Sequence, residues 1–325
     1  MCALVGDIGG TKTVLALAEI DGDAVLISSE RRYPSREFAS LDEVVGCFQA
    51  DTGESCDRGA FAVAGPVSGD RSSITNLPWE LDARTLERSL GLRVARLLND
   101  LEAVAWGIPA LGAKDLEVLY PGETEVAGNA CVVAAGTGLG EAGLYWDGAR
   151  HHPFPTEGGH SDYAPSDERE FALLEYLKAR YGRVSWERVV SGMGIANIYE
   201  FLAQLCGAAI PEPLRLALAA GDAGAEIAAG AQDGGCTLCA DAMGLFVTLY
   251  GREAGNMALK HLALGGVYLG GGIAPKNLPL LRGPAFLRAF FDKGRMEPLM
   301  RRMPVKVILE ERVPLMGAAR FLEAT

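Results

Sequence analysis

One pattern of residues occurs twice in this chain, and it constrains the fold more than any other feature. Residues 5–22 read VGDIGGTKTVLALAEIDG, and residues 131–148 read CVVAAGTGLGEAGLYWDG. In each segment an apolar run leads into a Gly-Thr pair, a second strand-like run follows, and an Asp-Gly pair comes ten residues after the threonine. Each segment predicts two β-strands joined at Gly-Thr, with Asp-Gly as the turn that closes the hairpin. The repeat predicts a duplicated domain plan, with two such hairpins facing one cleft.

The Gly-Thr turns have the composition of an anion-binding site. Glycine lets a backbone approach a ligand closely or adopt a positive φ angle. Backbone N–H groups exposed in such a turn form a concavity that suits an anion. The first turn therefore predicts a phosphate-binding loop. The residues alone leave a second interpretation open, an ordinary glycine-rich hairpin turn.

Two familiar phosphate-binding motifs do not fit the chain. A P-loop needs a second glycine before its lysine and a helix after it, but Thr11 precedes Lys12-Thr13 and a strand-like run follows. Residues 138–143 have the G-x-G-x-x-G spacing of a dinucleotide fingerprint, which should open a helix. Here the spacing leads directly into the turn at Asp147-Gly148, so no room remains for that helix.

The bulk composition argues against several classes of partner. The chain has 325 residues, of which 49% are hydrophobic and 22% charged, and its net charge is -12. Such an acidic protein is not expected to bind nucleic acid or an anionic membrane. The sequence contains no apolar run long enough to span a membrane and no signal-peptide pattern. Seven scattered cysteines predict a reducing cytoplasm rather than a disulfide framework.

Strand-like and helix-like segments alternate in the first third of the chain, which predicts an α/β domain. The second half is richer in helix, and a domain junction is expected near Trp106–Pro109. The predicted strands are Ala3–Val5, Val14–Ala18, Ala60–Ala64, Val94–Leu98, Val267–Leu269 and Val305–Leu309. The predicted helices are Leu41–Gln49, Ala83–Leu90, Leu101–Trp106, Glu168–Tyr181, Ser185–Val190, Ile195–Leu205, Leu214–Ala220, Ala223–Ala231, Thr237–Leu262 and Met316–Leu322.

The hairpin motif Asp7-x-Gly9-Gly10-Thr11, the second motif Gly136-Thr137-Gly138 and the late Gly270-Gly271-Gly272 together resemble the actin/hexokinase/Hsp70 ATPase superfamily. Within it, the chain resembles the bacterial glucokinase family from end to end. The matching segments are LVGDIGGTK, AVAGPVSGD, LLNDLEAVAWGIP, AAGTGLG, TEGGHSDYAP, ERVVSGMGIANIY, VYLGGGIAPK and PLMGAA. The cysteine-rich zinc motif of the ROK sugar kinases is absent after EGGH, so the resemblance is to the non-ROK branch.

The resemblance implies a two-domain α/β structure with the actin-like ATPase (ribonuclease H-like) fold. Its duplicated phosphate-binding hairpins would lie across an interdomain cleft. In this family the last helix returns to the first domain. We therefore expect a small α/β domain from residues 1–106 plus 312–325 and a large α/β domain from residues 107–311.

The resemblance also assigns the residues that act on the sugar. It places the catalytic base at Asp100, which follows a predicted strand and begins a predicted helix. Taken alone, Asn99-Asp100 favours a helix N-cap over a catalytic base, and both roles can hold together. The resemblance assigns the hexose to five residues whose side chains accept or donate hydrogen bonds to hydroxyls: Asn99, Asp100, Glu157, His160 and Glu187. Without it, His160 and Glu187 would be read as solvated surface residues.

The remaining family residues would hold ATP and Mg²⁺. Asp7 is expected to bind Mg²⁺ directly or through a water, because magnesium prefers carboxylates together with substrate phosphates. The residues expected at the nucleotide are Gly6, Asp7, Ile8, Gly9, Gly10, Thr11, Gly136, Thr137, Gly138, Gly270, Gly271 and Gly272. Lys12 stands where some family members have asparagine, and its role is left open.

These observations predict a glucokinase that transfers the γ-phosphoryl group of MgATP to the 6-hydroxyl of glucose. Two alternatives remain. One is a kinase for fructose, mannose or an N-acetylated hexosamine, and the other is a non-catalytic sugar or nucleotide sensor on the same fold. ATP, ADP and polyphosphate all remain open as phosphoryl donors. From the family we also expect a cytoplasmic homodimer.

Overall fold

The computed structural model describes residues 2–22, 24–74, 77–123, 126–221 and 223–325. The chain divides into two compact units. The first unit contains Met1–Leu116, His152–Pro155 and Glu310–Thr325, and the second contains Glu117–His151 and Thr156–Leu309. The predicted domains group the same segments except for residues 107–116, 152–155 and 310–311. The predicted domain boundaries at residues 106/107 and 311/312 stay a prediction.

Among the described residues, the first unit begins with eight strands and three helices. Its strands are β1 (Cys2–Ile8), β2 (Lys12–Asp21), β3 (Ala24–Pro34), β4 (Arg58–Val63), β5 (Val67–Ser68), β6 (Arg71–Ser73), β7 (Glu80–Asp82) and β8 (Val94–Asn99). Its helices are α1 (Leu41–Thr52), α2 (Ala83–Leu90) and α3 (Asp100–Gly107), with short 3-10 helices at Ser35–Glu37, Ile108–Ala110 and Ala113–Asp115.

A five-stranded sheet in the order β3-β2-β1-β4-β8 forms the centre of the first unit. The strands β1, β2 and β3 are antiparallel, whereas β4 and β8 run parallel to β1. The parallel strands β1 and β4 are largely buried on both faces, so they read as apolar runs rather than as an alternating pattern. Their carboxyl ends lie at one edge of the sheet, and this edge carries Ile8, Val63 and Asn99.

Between residues 116 and 309 the described residues form six strands and nine helices, and residues 152–155 of the fourth strand belong to the first unit. The strands are β9 (Leu116–Tyr120), β10 (Ala130–Ala135), β11 (Leu139–Trp146), β12 (His151–Thr156), β13 (Gly266–Gly270) and β14 (Val305–Ile308). The helices are α4 (Glu168–Tyr181), α5 (Gly192–Cys206), α6 (Glu212–Ala220), α7 (Ala223–Gln232), α8 (Thr237–His261), α9 (Ile273–Lys276), α10 (Leu278–Leu281), α11 (Pro284–Phe291) and α12 (Glu297–Met300). Short 3-10 helices lie at Gly158–His160, Trp186–Arg188 and Gly294–Met296.

The two main sheets share one plan. The second is ordered β12-β11-β10-β13-β14-β9, and β10, β11, β13 and β14 occupy the places of β1, β2, β4 and β8. Here too the first pair is antiparallel, and the next two strands run parallel to its first member. The duplicated plan inferred from the repeated motif is therefore present in the structure.

The Asp-Gly pairs do not close the Gly-Thr hairpins, so that part of the interpretation is wrong. Asp21 ends β2 and pairs with Ala24 at the start of β3, and Asp147-Gly148 lies between β11 and β12. Asp147 accepts hydrogen bonds from the N–H groups of Ala149 and Arg150, as turn-forming aspartates do. Each copy is thus a run of three strands whose third member the sequence analysis missed.

The last helix, α13 (Val313–Ala324), belongs to the first unit. Its apolar residues Leu315, Ala318 and Ala319 are buried against the sheet. It also contacts α3 closely, because a Cβ on Gly317 would overlap the carbonyl oxygen of Ala103. A glycine at this position lets the two helix backbones meet, so α13 supports the helix that Asp100 begins.

Two sequence expectations need correction outside the sheets. Residues 185–190 contain only a short 3-10 helix, Trp186–Arg188, rather than a longer helix. Cys2 and Cys56 form a disulfide, although the scattered cysteines suggested free thiols. The parallel pairing of β1 with β4 places the starts of these strands side by side, which sequence spacing does not reveal. Cys47, Cys131, Cys206, Cys236 and Cys239 are free.

Within the described ranges, no helix combines the length and the apolar character that crossing a bilayer requires.

Candidate active site

The first Gly-Thr turn connects β1 to β2 at the carboxyl end of β1. The N–H of Gly9 donates to the carbonyl oxygen of Lys12 at 3.0 Å, which leaves Gly10 and Thr11 at the tip. Neither the Gly10 nor the Thr11 N–H donates to an acceptor in the described chain. These two N–H groups and the exposed Thr11 hydroxyl are therefore available to an anion.

Ser35, which the sequence analysis did not identify, holds this turn in place through hydrogen bonds to its carbonyl groups. Its hydroxyl donates to the Gly9 carbonyl oxygen at 2.7 Å, and its N–H donates to the Thr11 carbonyl oxygen at 3.0 Å. The hydroxyl also lies 2.9 Å from that of Thr13. Ser35 and Thr13 are both fully buried. The carbonyl groups of Gly9 and Thr11 are thereby held inward, and the Gly10 N–H, which lies on the opposite side of its trans peptide from the Gly9 carbonyl, faces outward.

Asp7 lies one residue before the end of β1 and is half-buried. Burial raises the pKa of its carboxyl group above the ordinary value, and the nearby Lys12 ammonium partly opposes this shift. A cation would stabilise such a desolvated carboxylate. One hard oxygen ligand fits Mg²⁺, which takes its other ligands from phosphates and water. Among the described residues, no three or more His, Cys, Asp or Glu side chains form a metal-binding group.

Asn99 and Asp100 lie where β8 ends and α3 begins. Asn99 is the N-cap of α3, because its Oδ1 accepts from the N–H groups of Leu101 and Glu102 at 3.0 and 3.3 Å. Its Nδ2 donates to the carbonyl oxygen of Gly65 at 3.2 Å. The capping role thus belongs to Asn99, and the half-buried carboxylate of Asp100 begins the helix beside it with Oδ1 2.9 Å from the Leu101 nitrogen.

The second Gly-Thr turn connects β10 to β11 at the matching place in the second sheet. The Gly136 N–H donates to the Gly138 carbonyl oxygen at 2.9 Å, and the Gly192 N–H donates to the Gly136 carbonyl oxygen at 2.8 Å. In the described part of the chain, the N–H groups of Thr137 and Gly138 have no acceptor. They match Gly10 and Thr11 of the first turn as donors for an anion.

Glu187 contacts this second turn directly. Its Oε2 accepts from the Leu139 N–H at 3.0 Å. A Cβ on Gly138 would lie 2.5 Å from the same oxygen, so a glycine is required there for the carboxylate to approach. Its other oxygen, Oε1, lies 3.9 Å from Nδ1 of His160. One carboxylate therefore connects the turn to the residues predicted at the sugar.

The other predicted sugar residues lie on the loop that follows β12. His160 Nε2 is 3.9 Å from Oε2 of Glu157, and the His160 N–H donates to the Glu157 carbonyl oxygen at 3.0 Å. Both side chains are mostly exposed, whereas that of Glu187 is only 22% exposed. The structure therefore brings Glu157, His160 and Glu187 together, although Glu187 is distant from the other two in the sequence.

The two glycines within this loop have specific steric causes. A Cβ on Gly159 would overlap the carbonyl oxygen of Leu139, and a Cβ on Gly158 would overlap Oε2 of Glu141. Both Leu139 and Glu141 belong to β11. The loop can therefore lie directly on β11 only because these positions lack side chains.

Gly270-Gly271-Gly272 follow β13 next to the second turn. Gly270 pairs with Ala134 of β10, and Gly271 has a φ of 76°. A Cβ on Gly271 would overlap the carbonyl oxygen of Ala135, the residue before the turn. These glycines are thus positioned beside Gly136, where a nucleoside could approach their backbone.

Gly6 and Ile8 differ from the other predicted nucleotide residues. Both are buried in β1, and a Cβ on Gly6 would lie 2.9 Å from a ring carbon of Phe61 and 3.0 Å from Leu15. Gly6 therefore makes room for packing within the first unit. Contact of either residue with a nucleotide stays a prediction.

A sequence model of the Glucokinase family matches residues 4–325 of this chain. The chain belongs to this family. The glucokinase of Nostoc sp. is 42% identical to it over 97% of each chain. The crystal structure of a glucokinase from an Antarctic psychrotroph is 29% identical, covers 100% of this chain and 99% of its own, and superposes with a TM-score of 0.86.

The fold is shared beyond this family. A ROK family glucokinase from Streptomyces griseus, solved with glucose and AMPPNP, matches with a TM-score of 0.68 and 20% identity over 100% of both chains. At this identity the likeness concerns the fold alone. The two-domain α/β architecture of the actin-like ATPases, predicted from the sequence, is confirmed.

Proposed function

We propose that this member of the glucokinase family phosphorylates glucose, using MgATP as the donor and the 6-hydroxyl as the acceptor. Full-length family membership supports the reaction class. The observation that carries the proposal is the Glu187 carboxylate, which accepts from the Leu139 N–H with one oxygen and approaches His160 with the other. A sugar bound by Glu187 and His160 would have its reacting hydroxyl next to a turn that presents free N–H groups. Phosphoryl transfer requires this proximity of acceptor and phosphate.

In this proposal, Glu157, His160, Glu187 and Asn99 bind the sugar hydroxyls. Carboxylate oxygens accept from hydroxyl donors, while the Asn99 amide and the imidazole can both donate and accept. A site that hydrogen-bonds hydroxyls strongly rejects analogues that lack them. The array therefore supports selection of one hexose over its deoxy analogues.

Asp100 is the proposed general base. Its carboxylate accepts the proton of the 6-hydroxyl as the sugar oxygen bonds to the γ-phosphorus, and the bond from that phosphorus to the bridging oxygen of ADP breaks. Base catalysis of this kind contributes on the order of 10²–10⁴-fold to a rate. The rest of the acceleration would come from positioning and from donors aimed at the phosphoryl oxygens.

The donors proposed for the phosphates are the N–H groups of Gly10, Thr11, Thr137 and Gly138, with the hydroxyls of the two threonines. Asp7 would hold Mg²⁺, which neutralises phosphate charge when it is bound. The backbone of Gly270–Gly272 would lie against the nucleoside. Lys12 is exposed at the first turn, and we assign it no catalytic role.

We also propose that the chain belongs to the non-ROK branch of bacterial glucokinases. The missing cysteine-rich zinc motif supports this assignment, as does the larger TM-score to the psychrotroph glucokinase than to the ROK enzyme. A homodimeric state and a cytoplasmic location remain predictions that derive from the family resemblance.

The test is phosphoryl transfer from MgATP to a panel of glucose, fructose, mannose and N-acetylglucosamine, with product formation and sugar binding measured separately. We expect glucose to give the largest kcat/KM. A wide preference for another hexose would keep the reaction and change the substrate. Glucose binding without transfer from ATP, ADP or polyphosphate would instead indicate a sensor and contradict the proposal.

A further inference from the structure

Two fully buried carboxyl groups of the second unit have no part in the mechanism above, and one of them lies directly beneath the loop 157–160. Glu141 is in the centre of β11, and Glu253 is in α8, which packs against the sheet. Both side chains are 0% exposed. Glu141 Oε2 occupies the space in which Gly158 would carry a Cβ. A buried carboxyl group therefore forms the surface on which the loop lies.

The surroundings supply too few hydrogen-bond donors for two carboxylates. Glu253 Oε2 accepts from Asn256 Nδ2 at 2.7 Å. Neither oxygen of Glu141, nor Oε1 of Glu253, has a donor among the residues that the structure describes. Buried carboxylate oxygens are costly without a donor. A proton shared between the two carboxyl groups would provide it.

The charged and titratable groups around the pair compensate only part of two negative charges. The Nζ atom of the exposed Lys260 lies 3.8 Å from Oε1 of Glu253. Lys293 is bound to Asn256 and to the Arg252 carbonyl oxygen, and its charge acts on Glu253. The remaining titratable groups that face Glu141 are the buried thiol of Cys131 and the hydroxyl of Tyr250, both ordinarily neutral. Both lysines are held on the Glu253 side of the pair, whereas none of the described residues places a cation in contact with Glu141.

We propose that Glu141 and Glu253 share one proton and that Glu141, in its neutral form, is a positioning residue for the sugar-binding loop. This inference rests on the proposed role of Glu157 and His160 in binding glucose. Loss of the shared proton would place a second charge beneath Gly158. The loop would then have to leave β11 to let water reach Glu141. Sugar affinity falls in proportion to the fraction of molecules whose loop is in place.

The direction of the pKa shifts agrees with this arrangement. Burial and, to a lesser extent, the negative charge of Glu253 together raise the pKa of Glu141 to about 8, while Lys260 opposes the shift. Burial also raises the pKa of Glu253, against the opposing effects of Asn256 and Lys260. The shared proton would therefore be retained at neutral pH and lost in mildly alkaline solution.

The experiment measures the Kd of glucose from pH 7 to pH 9 through the fluorescence of tryptophan, since Trp186 is adjacent to Glu187. In the wild-type protein the Kd should rise ~10-fold over this range, as a single deprotonation near pH 8 requires. Glu141→Gln keeps a neutral group of the same shape, so its Kd should stay within about twofold of the neutral-pH value throughout. Glu253→Gln should behave in the same way. The matched control is Glu226→Gln, which changes an exposed glutamate of the same unit and should keep the wild-type profile.

The inference is overturned if the wild-type Kd is flat, or if both glutamine variants keep the alkaline rise. Glu157→Gln and His160→Ala separate this failure from that of the proposed function. If neither weakens glucose binding at pH 7, then the loop does not bind sugar and the proposed function is at fault. If the glutamine variants do not fold, the infrared band of a protonated carboxyl group decides. In the wild-type protein it should disappear near pH 8, and its absence at pH 7 would overturn the inference.

Discussion

The two Gly-Thr turns share a sequence pattern and a strand topology, but different chemistry holds them in place. In the first turn, the buried Ser35 binds the carbonyl oxygens of Gly9 and Thr11. In the second, the carboxylate of Glu187 accepts from the N–H that follows the turn. The first turn is thus supported by a neutral group in the core, and the second by an ionisable group that also approaches His160.

The two turns are therefore expected to respond differently to a bound sugar. Among the described residues, Ser35 makes no hydrogen bond to a residue proposed at the sugar, so we expect the first turn to be equally well formed with and without substrate. The support of the second turn is itself a proposed sugar ligand. Changes in the second unit should therefore couple sugar binding to nucleotide binding, whereas changes in the first unit should affect one property at a time.

The largest effect is expected at Asp100, and it should fall on turnover alone. Asp100→Asn keeps the shape of the side chain but removes its basicity, so kcat should fall by about 10²–10⁴-fold. The Kd of glucose should change only a few-fold. The measurement is single-turnover transfer combined with equilibrium binding, with Asp57→Asn, a surface aspartate of the same unit, as the control. Loss of glucose binding in parallel with kcat would assign Asp100 to binding instead.

A smaller effect that spreads over both substrates is expected at Glu187. Glu187→Ala removes a charge-assisted hydrogen bond to the second turn, which is worth roughly 1.5–3 kcal/mol. The value of kcat/KM should fall by about 10–100-fold, with increases in KM for both glucose and ATP. Glu157→Ala is the comparison, because Glu157 is mostly exposed and should change the KM of glucose only. If Glu187→Ala leaves the KM of ATP unchanged, the coupling through the second turn does not exist.

A third variant tests the support of the first turn. Ser35→Ala removes the hydroxyl that donates to Gly9, and one such hydrogen bond contributes about 1 kcal/mol. The KM of ATP should rise by about fivefold while that of glucose stays constant. Ser89→Ala removes an exposed hydroxyl of the same unit and serves as the control. A rise in the KM of glucose after Ser35→Ala would show that the two turns are not independent.

The last effect concerns stability rather than activity and should come from the second unit. The folded pKa of Glu141 is raised to about 8 from an ordinary value of 4.5, so the folded state binds more protons than the unfolded state in that interval. Stability should therefore decrease as the pH rises from 4.5 to about 8, by about 1.4 kcal/mol per pH unit for one proton, and change no further above it. Glu141→Gln should remove this decrease. Chemical denaturation at pH 5, 6.5 and 8 measures it, and equal slopes in both proteins would contradict it.

The sequence predicted the bounds of an element correctly where interactions between neighbouring residues determine them. The bounds of α2 and α4 were predicted to the residue, because Asp82 and Asp167 cap the starts and Gly91 and Gly182 follow the ends. The strand-to-helix junction at Asn99-Asp100 was predicted for the same reason.

Strands β3 and β12 were missed because their sequences do not resemble buried strands. β3 contains ERR and has an alternating, partly exposed pattern, and β12 contains Pro153 and Pro155, which are unfavourable in a central strand. Each is the third strand of a repeated unit and lies at the edge of its sheet, where it pairs with a single neighbour, β2 or β11. Tertiary pairing, rather than propensity, decides such segments.

The site was predicted as a set of residues but not as an arrangement. The proximity of Glu157 to His160 follows from their spacing, whereas the contact of Glu187 with the second turn depends on the fold of the whole unit. Ser35 gave no signal, because its partners lie more than twenty residues away. The sequence did point to Glu141, which is a single glutamate within the apolar strand LGEAGLYW. This signal was overlooked, although such a group is rarely buried without a reason.

The position of α13 has a consequence for how the chain acquires its structure during synthesis. A ribosome releases the sheet of the first unit long before it releases the helix that covers one face of that sheet. Leu315 packs in the same cluster as the apolar residues Val5, Ala60 and Ala62. These three residues can be fully buried only after the end of translation, when α13 has left the ribosome. The second unit has no such dependence, so we expect it to mature first on the nascent chain although it is encoded later. Chaperones would then be needed mainly to shield the unfinished N-terminal sheet, rather than to help the larger unit fold.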